Sequence, residues 1–321
     1  MSLTLSCAFA TSPESPEHAR AAESLGYENA YFYDSPALYP DVWVQLCRAA
    51  ERTTTIGLGP GVLVPSNRHP MTNAAAIATL VEAAGQGRVI VAVGSGFTGR
   101  MAMGQRALKW TDVKAYVEAL QRLLAGEVVE WEGAAIQMLH SPGMAPPRPI
   151  AIRWLIGAGG PKGVAVAREL ADGVFGATPI PDFDWSVSLL FGTVLEEGES
   201  ADSERALAAA GHAGAVNLHY AYEHSLMPAE QLQEWLAAYG QVPQQRRHLA
   251  MHTGHLVHVN EHDAPAVTGE LITSFGLAHD AGGWRERIAQ LEQEGATEIA
   301  YQPAGPDPVR ELEAFAAVAR G

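Results

Sequence analysis

The run WLIGAGGPKGVAVARELADGVF, residues 154–175, constrains the fold more tightly than any other part of the chain. An apolar run, 154–156, enters a glycine cluster (Gly157, Gly159, Gly160). Pro161 and Lys162 then open an amphipathic helix, and a second apolar run, 173–175, follows Asp172. This reads as strand, tight turn, helix with proline in its first turn, and strand, which is one βαβ unit. The same rhythm runs from the start of the chain. Strands are predicted at 3–9, 30–33, 55–64 and 89–93, and helices between them at 16–25, 41–52 and 70–84. Repeated βα units imply a parallel sheet with its helices outside.

After Gly96 the rhythm breaks. Residues 101–110 read as irregular, 112–124 as a helix, 128–138 as a hairpin around Glu132-Gly133, and 142–149 as a proline-rich connection. From 179 to about 245 the pattern predicts an excursion packed against the main body, with helices near 203–210 and 228–239. A strand at 249–259, a helix at 282–294, a last strand at 298–301 and a closing helix at 309–319 complete the chain. We expect one domain, 1–321, with insertions at about 97–150 and 179–245.

Composition narrows the class. Of 321 residues, 47% are hydrophobic and only 18% charged, which describes a well-cored chain rather than a disordered one. Lys and Arg number 21 against 36 Asp and Glu, a net charge of −15. An acidic chain of this kind argues against nucleic-acid and anionic-membrane partners, since both need a basic face. Any phosphate ligand must then be held by local donors. The two cysteines, Cys7 and Cys47, read as apolar fillers in a reducing cytoplasm. The first residues lack a basic leader and read as a strand, so a soluble cytoplasmic enzyme acting on a small molecule is expected.

Polar and glycine residues follow the C-terminal ends of successive strands: Asp34, then Pro65-Ser66-Asn67, then Ser95-Gly96. In barrels the site is built there. Free N–H groups at the helix start after Gly159-Gly160 suit a phosphate, and Lys162, unfavourable to the helix dipole in a first turn, fits a bound anion. The plainer alternative is a βα turn whose glycines only solve backbone geometry. Gly57, Gly59 and Gly61 mark either a bulge facing a flat ligand or tight packing on a neighbour. Asp34 either hydrogen-bonds a ligand ring or caps a turn. Among 12 histidines, His248, His252, His255 and His258 crowd one stretch. As a strand it would place His248, His252 and His258 on one face, yet no HExxH or neighbouring cysteine supports a metal site, and a substrate-touching histidine is the better expectation. Asp182 and Asp184 read as solvated, and Trp110, Trp131 and Trp154 as core.

The motifs Gly61-Val62-Leu63-Val64-Pro65, Asn67-Arg68-His69-Pro70, the run from Gly87-Arg88 to Gly94-Ser95-Gly96, Gly159-Gly160-Pro161-Lys162 and Ala171-Asp172-Gly173 are together similar to the luciferase-like monooxygenase superfamily. The similarity is closer to its coenzyme F420-dependent oxidoreductases, including methylenetetrahydromethanopterin reductases. It is good over about 1–175, loose at 295–315 and weak between. The resemblance implies a TIM-type (β/α)8 barrel with insertions at the C-terminal mouth, usually in a homodimer. It also implies a deazaflavin ring (or FMN in the monooxygenases) at the mouth, supported by a non-prolyl cis peptide that would fall at Gly61–Val62. Asp34 and Ser95 would line the cofactor, with its phosphate on Gly159, Gly160 and Lys162. Ser35 replaces the histidine of the family's glucose-6-phosphate enzymes, and Phe97 replaces their glutamate, so that substrate is rejected. Tyr33, Tyr39, Trp43, Phe97, Met101 and Met103 suggest an apolar or aromatic substrate instead, with Ser35 and His252 as polar partners. An FMN-dependent monooxygenase, a flavin-binding protein without turnover, and a metal-dependent barrel hydrolase remain alternatives.

Overall fold

A computed structural model describes residues 3–226 and 229–321; Pro228, the first residue of one expected helix, lies outside them. Eight parallel strands close into a barrel: β1 (Thr4–Phe9), β2 (Asn29–Phe32), β3 (Gly57–Leu63), β4 (Ile90–Gly94), β7 (Arg153–Gly157), β8 (Gly173–Gly176), β9 (Ser186–Phe191) and β12 (Glu298–Gln302). They follow one another round the barrel in chain order, and β12 pairs with β1. The fold is the expected TIM-type barrel.

Helices α1 (Ser15–Ser24), α2 (Val42–Ala50) and α3 (Pro70–Ala84) cross between the first four strands. The Asp41 carboxylate accepts from the Trp43 and Val44 N–H groups and starts α2. Pro70 opens α3, and Gly85, at φ 94°, ends it. After β4 come a short helix, α4 (Phe97–Met101), then α5 (Trp110–Ala125) and the hairpin β5 (Val129–Trp131) and β6 (Ala134–Ile136). The hairpin packs along α5, where Trp131 meets Tyr116 and His69 edge-on. Helix α6 (Pro161–Leu170) links β7 to β8.

The seventh barrel strand corrects the sequence-based expectation. It is Ser186–Phe191, not 249–259. In SVSLLF, Val187, Leu189 and Phe191 join the barrel interior while Ser186, Ser188 and Leu190 face the other way. Two serines on the buried outer face disguise the strand. The segment 249–259 instead carries the end of α9 (Arg247–Met251) and a run of turns, in which Gly254 (φ 71°) and Leu256 (φ 56°) reverse the chain. The large excursion runs between two short paired strands, β10 (Thr193–Val194) and β11 (Ala278–His279). It holds α7 (Glu204–Glu223), α8 (Ala229–Ala237), α9 and α10 (Gly269–Ser274), and α11 (Ala281–Gln293) and α12 (Pro308–Arg320) then finish the outer ring.

Close approach explains the glycines of β3. A Cβ on Gly59 would stand 1.5 Å from the Ile90 carbonyl oxygen, and one on Gly57 2.2 Å from the Asn29 side-chain oxygen. These two serve packing, not a ligand. Gly59→Ala should therefore break the β3–β4 pairing and cost about 3 kcal/mol or more. Gly87→Ala, whose Cβ would meet nothing, should leave the denaturant midpoint unchanged. Equal midpoints for the two variants would contradict this packing.

Candidate active site

The C-terminal strand ends surround a cavity of about 210 Å³. Its wall is made by Tyr33, Asp34, Ser35 and Tyr39 after β2, Gly61, Val62 and Val64 from β3, and residues 96–99 after β4. Gly157, Phe175, Gly176, Ala177 and Leu189 complete it from β7, β8 and β9, with Leu256 from the excursion.

The peptide bond Gly61–Val62 is cis, at the position that the family resemblance implies, and the β3–β4 register shifts between Gly61 and Leu63. The Val62 side chain is keyed into two neighbouring strands. A Cβ on Gly94 would lie 2.7 Å from one Val62 methyl, and a Cβ on Gly157 2.6 Å from the other. Gly61 itself lies against Tyr31, where a Cβ would come within 2.8 Å. Glycines on the two neighbouring strands, β4 and β7, thus leave room for one valine at the floor of the mouth.

Asp34 is buried and heavily engaged. One carboxylate oxygen accepts from the Arg68 guanidinium at 2.8 Å, and the other from the Val64 N–H at 3.2 Å and Asn67 at 3.4 Å. Arg68 also pairs with Asp41, and these carboxylates help hold its guanidinium charged against the cost of burial. The Arg68 carbonyl accepts from the Tyr116 hydroxyl, which accepts from Asn73, whose side-chain oxygen accepts from the Trp43 indole N–H. Trp43 is therefore a strut of this frame and not part of the cavity wall. Arg68 was missed because it carries no strand-end signature and lies far from Asp34 in sequence.

The two phenols of the wall are tied down as donors. Tyr33 donates to Gln302 Oε1 at 2.9 Å and Tyr39 to the His255 carbonyl at 2.8 Å. Burial pushes both hydroxyls above the usual phenol range, so they stay protonated at neutral pH. Gln302 Nε2 donates to the Leu256 carbonyl, which holds Leu256 over the cavity as a roof.

Ser35, Asp34, Gly61 and Val62 are thus brought together. Ser95 stands beside the cavity at the end of β4, its carbonyl bonded to the Leu108 N–H, and is not part of the wall. His252 lies behind the roof, its Nδ1–H donating to the His248 carbonyl and its ring stacked on His255 at 5.3 Å. Its expected strand partner His258 is on a turn. Among the described residues no group of three or more His, Cys, Asp or Glu side chains could hold a metal ion. Met101 and Met103 are outside the wall as well.

Gly159, Gly160 and Lys162 are exposed at the start of α6. A Cβ on Gly159 or Gly160 would meet nothing within 4 Å, and neither residue has the positive φ that favours glycine. Backbone geometry therefore does not require these glycines. No side chain caps α6, so its first N–H groups have no side-chain partner.

The model of the luciferase-like monooxygenase family matches residues 10–300. The chain belongs to this family, and it is an enzyme. Among its luciferase-like relatives, the 5,10-methylenetetrahydromethanopterin reductase of Archaeoglobus fulgidus is 27% identical over 313 residues, covering 92% of this chain and 91% of the relative. That of Methanolobus tindarius is 33% identical over 53% of this chain and 52% of its own. The coenzyme F420-dependent tetrahydromethanopterin reductase of Methanopyrus kandleri superposes with a TM-score of 0.70 at 19% identity, over 98% of both chains. An F420-dependent secondary alcohol dehydrogenase superposes at 0.66 and 16% identity, over 99% and 98%. No helix among the described residues is long and apolar enough to cross a membrane.

Two predictions follow from this luciferase-like mouth. Replacing Arg68 by Met leaves the Asp34 carboxylate buried without its partner and should cost about 3–5 kcal/mol of stability. The double variant R68M/D34N should recover part of it; denaturant titration of all three decides, and additive losses would contradict the coupling. The second concerns His212, His252 and His255, whose burial lowers the pKa of each, that of His212 to about 4. Unfolded imidazoles titrate near about 6.5, so below that pH the unfolded state binds more protons. Their contribution is complete above that value and is lost as pH falls through the folded pKa values. Melting temperature should fall between pH 7 and pH 5, less steeply in His255→Gln; a flat profile would contradict neutral buried imidazoles.

Proposed function

We propose that this enzyme is an oxidoreductase that moves a hydride between coenzyme F420 and an uncharged, largely apolar small molecule. The observation that supports it most is the fit of the α6 start: two exposed glycines that the backbone does not need, uncapped N–H groups, and Lys162. Such a cradle suits a phosphate-bearing tail. Two structural neighbours that superpose over nearly the whole chain are F420-dependent enzymes, which points the same way.

Coenzyme F420, when bound, would carry the transferred hydride at C5 of its deazaflavin ring; the protein supplies place and exclusion of water. In this reading Gly61 and Val62 would form the shelf for the ring, with Asp34 at its polar edge; Ser95, outside the wall, would not touch it. Gly159, Gly160 and Lys162 hold the phosphate. The Ser35 hydroxyl, in the wall, offers a hydrogen bond to substrate. His252 acts only through the roof segment that carries His255 and Leu256. Tyr33 and Tyr39 remain protonated and spent on protein acceptors, so they orient rather than exchange protons. The competing reading is an FMN-dependent monooxygenase, favoured by luciferase-like monooxygenase neighbours of the same fold, one of them in complex with FMN.

Fluorescence titration with coenzyme F420 and with FMN, side by side, separates the two. We expect preference for F420, weakened about tenfold or more in Gly160→Asp by repulsion between carboxylate and phosphate. The melting temperature of that variant should not fall, because Gly160 is the N-cap position of α6, where the new carboxylate meets no neighbour and can cap the first N–H groups. Preference for FMN, or wild-type affinity in Gly160→Asp, would overturn the proposal.

A further inference from the structure

The cavity offers a substrate very little charge. Among the described residues Asp34 is the one charged side chain in its wall, and Arg68 already neutralises it. No described Lys, Arg or His lines the cavity to meet a carboxylate or phosphate on the reacting molecule. What remains is hydroxyl (Ser35, Thr98), ring face and aliphatic surface.

The same wall continues outward into an aromatic rim. Phe97, the first residue of α4, lines the cavity yet is 42% exposed. Its ring lies 6.4 Å from that of Tyr220 and 6.0 Å from that of His224, both at the C-terminal end of α7. Tyr220 is itself 49% exposed. Tyr220 and His224 stack with centroids 4.0 Å apart and planes at 24°. The stack is fixed, because His224 Nδ1–H donates to the Tyr220 carbonyl at 3.0 Å. Two elements remote in sequence therefore present three rings to solvent at the lip of the cavity. Exposing that much aromatic surface is unfavourable unless something covers it, and a rigid, prearranged stacking surface binds flat molecules at low entropic cost.

We propose that Phe97, Tyr220 and His224 form the outer substrate subsite, and that the substrate is an uncharged molecule carrying a flat aromatic ring system. The ring system stacks on the rim while the reacting end enters the cavity beside Ser35. This rests on the hydride-transfer reading of the same mouth and adds the substrate class to it. Tyr220 and His224 set specificity without touching the bond that changes.

The test uses the full chain loaded with oxidised coenzyme F420, and equilibrium binding of three probes: 2-naphthol, 2-naphthoate and cyclohexanol. Naphthol should bind about tenfold more tightly than cyclohexanol through stacking, and more tightly than naphthoate, whose charge finds no partner. Tyr220→Ser should abolish the naphthol advantage, and Tyr220→Trp should restore it. Affinity for the coenzyme should be unchanged in both variants. Equal binding of naphthol and cyclohexanol, preference for naphthoate, or an undiminished advantage in Tyr220→Ser would overturn the subsite. Failure of the wild-type protein to bind the coenzyme would sink the hydride-transfer reading instead. In that case the same probes on the unloaded protein still decide the rim by the same outcomes.

Discussion

The mouth of this barrel depends on one packing event, the seating of the Val62 side chain between Gly94 and Gly157. Each glycine belongs to a different strand, and a single methyl on either would come within 2.7 Å of the valine. Because the seat spans β3, β4 and β7, it fixes the height and tilt of the bulge relative to the strands beside it. Interiors packed at this density do not absorb an extra carbon. The floor of the cavity is thereby rigid, apolar and free of side chains that would stand between it and a flat ligand.

Around that floor, polar groups are used mainly to hold the frame. Asp34 joins the end of β2 to β3 through the Val64 N–H and to the start of α3 through Arg68. The chain of bonds from Arg68 through Tyr116 and Asn73 to Trp43 extends the frame across α5, α3 and α2. Tyr33, Tyr39 and Gln302 fasten the Leu256 roof. A network satisfied in this way specifies one arrangement, since any missing partner would leave a buried donor or acceptor unpaired. The consequence for chemistry is a mouth with little free charge, suited to a neutral reactant and to a cofactor that carries its own redox power.

Much of the barrel is legible in the sequence because parallel strands buried on both faces are short apolar runs closed by Gly or Asp. The runs ending at Asp34, Gly94 and Gly157 all show this. Ser186–Phe191 does not, since its serines face the surrounding helix layer, whereas 249–259 imitates a strand by alternation although Gly254 and Leu256 turn it back. In the site, Asp34 was legible as a strand-end residue, and Ser35, Gly61 and Val62 through the resemblance to the luciferase-like family. The pairing of Val62 with Gly94 and Gly157 was not, because each glycine alone is explained by its own turn. Arg68, Leu256, Tyr220 and His224 were likewise silent: their roles arise only when α3, α7 and the excursion meet the mouth.

The central claim is that the Val62 shelf and the open start of α6 form a single cofactor site. A crystal structure of the protein with oxidised coenzyme F420 tests it most directly. The account predicts the deazaflavin ring lying on Gly61–Val62 with the phosphate against the Gly159 and Gly160 backbone. A ring bound elsewhere, such as in the cavity lined by Arg205, His258 and Gly305, or a phosphate away from α6, would contradict it.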